Sequence, residues 1–152
     1  MRIALYEPEI AGNVGAVLRL GACLGVPVDL IEPMGFVWDD ARVRRTAMDY
    51  IDHVAITRHP GFAAFRETIG DARLILLTTK AERSLYEEQF EPEDILLFGR
   101  ESAGVPAEIA DACDLELKVP TVPGVRSLNL AMAAGIAAGE ALRQLRLAPI
   151  PA

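Results

Sequence analysis

The chain has 152 residues, 51% of them apolar, which is the size and composition of one domain with a core of its own. A formal charge of −7 and a pI near 4.8 exclude a uniformly basic coat for nucleic acid, since neutralising phosphates takes clustered Lys and Arg; local basic clusters stay open. Cys23 and Cys113 stand far apart with no CxxC spacing, and no apolar run reaches the length of a signal core or a membrane span, so a soluble protein of the reducing cytoplasm is expected, read as one domain over 1–152 with a loose tail at about 147–152.

The N-terminal "RIALY" (2–6) reads as a strand, and 13–25 as a helix with Asn13 as its cap and Gly25 as its left-handed stop. A strand at 28–32 and a helix over about 39–47 follow, then a strand at 53–57 and a helix at 60–69 with Pro60 in its first turn. Strands are expected at 72–78, 94–99 and 115–119, and helices at 83–89, 106–113 and 127–146. Unbroken apolar runs such as Leu74–Leu77 belong to strands covered on both faces. The pattern is that of an α/β protein, a parallel sheet flanked by helices. In the last helix Ser127 is a candidate cap. Ala131, Gly135 and Gly139, four residues apart, form a strip almost without side chains, suited to another helix, either on the protein's own sheet or across a dimer.

Three stretches suggest chemistry. In "LLFGRESAGVP" (96–106), Gly99 and Gly104 have the spacing of a phosphate-binding loop, but Val105 and Pro106 stand where lysine and a hydroxyl are needed, and no G-x-G-x-x-G occurs. What is left is a strand end where glycine lets a ligand approach the backbone, or a plain structural turn. "PEIAGNVGAVLR" sets Arg19 four residues after Gly15, so the guanidinium projects over a surface without a side chain. "VPTVPGVRSLN" is a stiff connection into a helix start beside Arg126, a pairing that favours an anion.

Together with "LIEPMGFVWDDARVRRTAMDY" and "LLTTK", these stretches resemble in order the motifs of the SPOUT methyltransferases, most closely the TrmL-type tRNA 2′-O-methyltransferases, over nearly the whole chain. The resemblance implies a parallel sheet whose C-terminal segment makes a deep trefoil knot, with S-adenosyl-L-methionine bound there. Leu77, Thr78, Gly99, Glu101, Gly104, Val119, Ser127 and Leu128 are the implied cofactor residues. Arg19 is the implied catalytic residue. A guanidinium pKa above about 12 makes proton abstraction demanding, so Arg19 is expected to orient the ribose and a phosphate and to stabilise a developing alkoxide. Glu101 accepts hydrogen bonds from Arg19 or from its own loop, or is solvated.

The implied reaction is methylation of the wobble ribose in a tRNA anticodon loop by a homodimer joined through the first and last helices, without metal or membrane. Another tRNA position, ribosomal RNA, or a silent RNA-binding module of the same fold are the alternatives. RNA contacts are expected from Asn13, Arg42, Arg44, Arg45, Arg126 and Asn129, with Trp38 or Phe36 stacking on a base; otherwise Arg44 pairs with Asp40 and Trp38 lies in the core. Lys80, Arg100 and Arg126 form a basic rim. Two departures stand out: "AGN" replaces the usual prolines before the asparagine, and Gly139 stands where close relatives often carry tyrosine.

Overall fold

Six segments form parallel strands: β1 (Arg2–Tyr6), β2 (Val28–Ile31), β3 (Ile56–His59), β4 (Leu74–Leu77), β5 (Ile95–Phe98) and β6 (Leu115–Leu117). They make one sheet in the order β3-β2-β1-β5-β4-β6. The helices are α1 (Ala11–Leu24), α2 (Asp40–Ala47), α3 (Phe62–Ile69), α4 (Ala107–Asp111) and α5 (Leu130–Leu145). The computed structural model describes residues 1–145; the side chains of residues 42, 44 and 46–49 lie outside the described set, as does the expected tail at 147–152. Among the described residues no helix is long and apolar enough to cross a membrane.

Both faces of the sheet are covered, which is why its strands are apolar without alternation. On one face α1 and α5 bring Val14, Val17, Leu18 and the alanines 134, 137 and 138 against Ile3, Leu5 and Leu96. On the other, Phe65 of α3 and Ile109 of α4 pack with Ala4, Tyr6 and Leu97. Gly21 lets α1 turn straight back into β2: a Cβ there would lie 2.6 Å from the Val26 carbonyl oxygen. Gly25 ends α1 in the left-handed conformation at φ 66°, as its sequence position suggests.

Several boundaries differ from expectation, each for a local reason. The third strand runs over 56–59, not 53–57, and includes Arg58 and His59, which read as loop residues. Carboxylates make them compatible with the sheet: Arg58 Nε donates to Glu32 at 2.8 Å, and His59 Nε2 lies 2.8 Å from Asp29 Oδ1. Val54, placed in the strand by its apolarity, instead packs beside Gly21. In place of a helix at 83–89 there is one short 3-10 turn, Leu85–Glu87, capped reciprocally by Ser84 and Glu87. Its flanks bond to the chain beyond β6, Leu85 N to Lys118 O and Lys118 N to Arg83 O, so the backbone is committed to the sheet edge.

Neither expected cap holds its helix. Asn13 lies inside α1, which begins at Ala11 without a side-chain cap. Ser127 precedes α5 by three residues, and the cap is Asn129, whose Oδ1 accepts from Ala131 N at 2.9 Å and Met132 N at 3.3 Å. Pro60 likewise lies outside α3, which begins at Phe62 after Gly61.

Asp29 is the most deeply placed charge of the β1–β3 half. It is fully buried, receives Arg2 Nε and Nη2 at 2.7 and 2.8 Å, and contacts His59. Removing one partner of a buried ionic group leaves the others uncompensated. Asp29→Ala is therefore expected to lower the unfolding free energy by about 3 kcal/mol in urea denaturation; an unchanged midpoint would show the cluster to be energetically neutral.

Candidate active site

Beyond the carboxyl ends of β4 and β5 the loops diverge around a cleft of about 1010 Å³. It lies beside the place where the sheet order reverses between β1 and β5, the position at which open α/β sheets bind ligands. All eight residues expected at the cofactor line it: Leu77, Thr78, Gly99, Glu101, Gly104, Val119, Ser127 and Leu128. Asn13, Arg126 and Asn129 of the expected RNA contacts line it as well, with Lys80 and Arg100. Segments far apart in sequence thus converge on one concavity.

The loop after β5 has two glycines for two reasons. Arg100 and Gly104 exchange backbone hydrogen bonds of 3.0 and 2.9 Å, folding the loop back so tightly that a Cβ on Gly99 would come within 2.6 Å of the Gly104 carbonyl carbon. Gly104 itself has φ 67°, a conformation side chains disfavour. The fold-back presents Glu101 to the start of α1. Its carboxylate accepts from Glu9 N at 2.8 Å, Ile10 N at 3.3 Å and Asn13 Nδ2 at 3.1 Å. None of the expected readings of Glu101, a contact with Arg19, bonds from its own loop or a solvated carboxylate, is what the structure has.

Neighbouring residues add to this junction. Ser102 donates from N and Oγ to Glu9 at 2.8 and 2.7 Å, and those bonds hold the Glu9 carboxyl below the usual carboxylate range. Arg100 Nη1 lies 3.4 Å from Glu7 Oε2, with its guanidinium 5.9 Å from the Tyr6 ring centre. Glu7 takes φ 45°, a costly conformation for a residue with a Cβ. On the far side, Asn129 Nδ2 donates to Asn13 Oδ1 at 2.9 Å. The Glu9–Ser102 link was not foreseen; the signal for it is an acidic residue just before a helix start, where N–H groups concentrate positive potential.

Arg19 and Arg45 lie elsewhere. Arg19 is exposed on α1, does not line this cleft, and sits 5.1 Å from the centre of the Tyr50 ring. Gly15, expected to leave an open surface beneath it, is buried. Arg45 is exposed away from the cleft, and the side chains of Arg42 and Arg44 are outside the described residues. Trp38 is half-buried against the core, as the alternative to base stacking anticipated; Arg58 covers its ring at 5.1 Å and its Nε1 donates to Asp40 at 2.7 Å.

Among the described residues no three His, Cys, Asp or Glu side chains are grouped to hold a metal. Burial, then Asp114 and Glu116, push the Cys113 thiol up to about 12, so it stays protonated and donates to the Ile109 carbonyl at 3.2 Å.

A cleft beside the switch point of a parallel sheet is where α/β proteins bind small ligands and cofactors. Residues 1–139 match the SpoU rRNA Methylase family, and the chain belongs to that family. It is 50% identical over 145 residues to a tRNA (cytidine(34)-2'-O)-methyltransferase of Beijerinckia indica, covering 94% of this chain and 91% of that protein. It is 44% identical over 147 residues to the Escherichia coli K12 protein of the same name, covering 95% and 94%. A structure solved for the 2-OH methylation of C/U34 on tRNA superposes with a TM-score of 0.91 at 45% identity, covering 95% of each chain.

The chain is a ribose 2′-O-methyltransferase, and its cofactor is S-adenosylmethionine. The cleft fits that molecule. Leu77, Val119 and Leu128 give it apolar surface, Thr78 and Ser127 give it hydroxyls, and Gly99 gives it bare backbone. A methyl group at Gly99 must displace backbone atoms of this wall. Gly99→Ala is expected to weaken S-adenosylhomocysteine binding at least about tenfold, or 1.4 kcal/mol, in calorimetric titration while unfolding stays cooperative. Unchanged affinity would remove this loop from the cofactor site.

Proposed function

We propose that this protein transfers a methyl group from S-adenosylmethionine to the ribose 2′-hydroxyl of nucleotide 34, the wobble nucleotide, of a tRNA in the cytoplasm. The observation that carries the proposal is the convergence of the residue 77–80, 99–104 and 119–129 segments on one cleft, in a chain half identical to a protein named for that reaction. In this reading the segment from Val119 to Asn129 and α5 thread a loop to form the trefoil knot. The packing of α5 on α1 and β5, with that segment bordering the cleft, supports it.

The cofactor, when bound, supplies an electrophilic methyl group. The protein's part is alignment of the acceptor oxygen and management of its charge. Leu77, Thr78, Gly99, Glu101, Gly104, Val119, Ser127 and Leu128 form the cofactor walls, Glu101 by fixing the loop. Arg126 meets the RNA from the cleft, while Asn13 and Asn129, whose amides bond Glu101, each other and the start of α5, hold the wall in place.

Arg19 is the catalytic residue, and it acts in the cleft of a second copy. Its absence from the cleft of its own chain supports this. So does the face built by α1 and α5: a Cβ at Gly135 would make only ordinary contact with Leu20, and one at Gly139 would touch nothing within 4 Å. Two helical glycines cost about 0.5–1 kcal/mol each, and packing within one chain does not require them. Ile10 and Met132, 50% and 61% exposed, extend that face. There the Arg19 guanidinium orients the ribose and its phosphate and stabilises the developing alkoxide.

Arg19→Ala is expected to lower labelled methyl transfer to tRNA by about 100-fold or more, with S-adenosylhomocysteine affinity retained. Coexpression with Gly99→Ala subunits restores part of the activity, because a mixed dimer holds one site with both an intact wall and an arginine. Failure to complement would place the arginine and the wall in the same subunit. A tRNA lacking the 2′-hydroxyl only at nucleotide 34 is expected to accept no methyl group; incorporation into it would exclude the wobble ribose as acceptor.

A further inference from the structure

Among the described side chains, most cations are already engaged. Arg2, Arg58, Arg73, Arg83, Arg100 and Arg143 each face a carboxylate. Lys80 and Arg126 face none, have no aromatic partner, are exposed and line the cleft. Of the other described cations that face no carboxylate or ring, Arg45 is off the cleft and Lys118 is half-buried. In a chain with 22 acidic and 15 basic residues, unpaired cations at one opening are a distinctive electrostatic feature.

The pair divides by element. Lys80 follows β4, where its N–H bonds the Thr78 hydroxyl at 3.3 Å, and Arg126 stands in the connection leading to α5. The cleft also carries exposed Asp111 and Glu116, on α4 and β6, which repel a polyanion and suit the cationic part of the cofactor. Among the described side chains lining the cleft, Lys80 and Arg126 are the cations that take a phosphate without giving up a carboxylate partner. Arg100, expected in the same rim, is held by Glu7 and Tyr6 and belongs to the wall itself.

We infer that Lys80 and Arg126 form a two-cation clamp for the backbone phosphates flanking the acceptor ribose of a single-stranded RNA segment. This rests on the methyltransferase reading above. A lysine supplies a point charge and an arginine a two-pronged donor, so one site tolerates a mobile phosphate while the other fixes its orientation. The pairing gives an acidic protein a local hold on RNA at the cleft where reaction occurs.

The clamp is tested by binding an anticodon stem-loop RNA to the full chain saturated with S-adenosylhomocysteine, between about 50 and 200 mM KCl. Lys80→Ala and Arg126→Ala are each expected to reduce the slope of log affinity against log salt by about 0.7, and the double variant by about 1.4, the value for lost single-strand phosphate contacts. Lys80→Arg keeps the wild-type slope, and Arg66→Gln, on α3 and not lining the cleft, leaves it unchanged. An unaltered slope in the double variant overturns the clamp. So does a tenfold loss of S-adenosylhomocysteine affinity in Lys80→Ala with the slope retained, which would put the lysine on the cofactor carboxylate. Wild-type protein that binds S-adenosylhomocysteine but shows no salt-dependent RNA binding also defeats the clamp; absence of S-adenosylhomocysteine binding defeats the reading beneath it.

Discussion

The site depends on one carboxylate. Glu101 reaches from the loop after β5 to the start of α1 and takes two backbone N–H groups and the Asn13 amide. Those N–H groups stand just ahead of α1, where the helix contributes positive potential, so a charged acceptor is stronger there than a neutral one. Hydrogen bonds to a charged group contribute about 1.5–3 kcal/mol, well above an exposed ion pair. Gly99 and Gly104 are the condition for it: without their tight fold-back the carboxylate would not face α1. The glycines therefore serve position as much as ligand access.

Asn13 carries the connection further. Its amide nitrogen bonds Glu101 while its oxygen receives Asn129, the residue that caps α5. Three elements that flank the cleft, the loop after β5, the start of α1 and the start of α5, are thus joined through side chains that each use both ends. Such a chain transmits a displacement of any member to the others, and a mispositioning of about 1 Å at a reacting group is costly in rate. The parallel sheet beneath supplies the rigidity, because its strands are buried on both faces and leave variation to the loops at their carboxyl ends.

Legibility in the sequence followed burial. β4 and β5 are apolar throughout, β1 is apolar after Arg2, and all three stand out as core segments. β3 does not, because Arg58 and His59 enter the sheet only through carboxylates contributed by and just beyond β2. Local capping signals were ambiguous in the same way: Ser127 and Asn129 are both good cap residues, and the choice of Asn129 is tied to its bond with Asn13, 116 positions away. The cleft residues were legible because glycine and strand-end positions carry motif information. Their mutual contacts were not, since no spacing encodes which carboxylate meets which helix.

The acidic composition and an RNA substrate are reconciled by where charge is left unpaired. Internal pairing consumes arginines at the Asp29 and Asp94 clusters, where they neutralise buried carboxylates. Those cations set the fold, whereas Lys80 and Arg126 contribute to the field at the cleft opening. Overall charge is therefore a poor guide to recognition here: screening over roughly 8–10 Å at physiological salt means that a bound phosphate senses the cations beside it more than the excess carboxylates across the molecule. An acidic surface elsewhere then disfavours binding in other orientations, and discrimination between the cleft and the remaining surface rises even as average affinity falls.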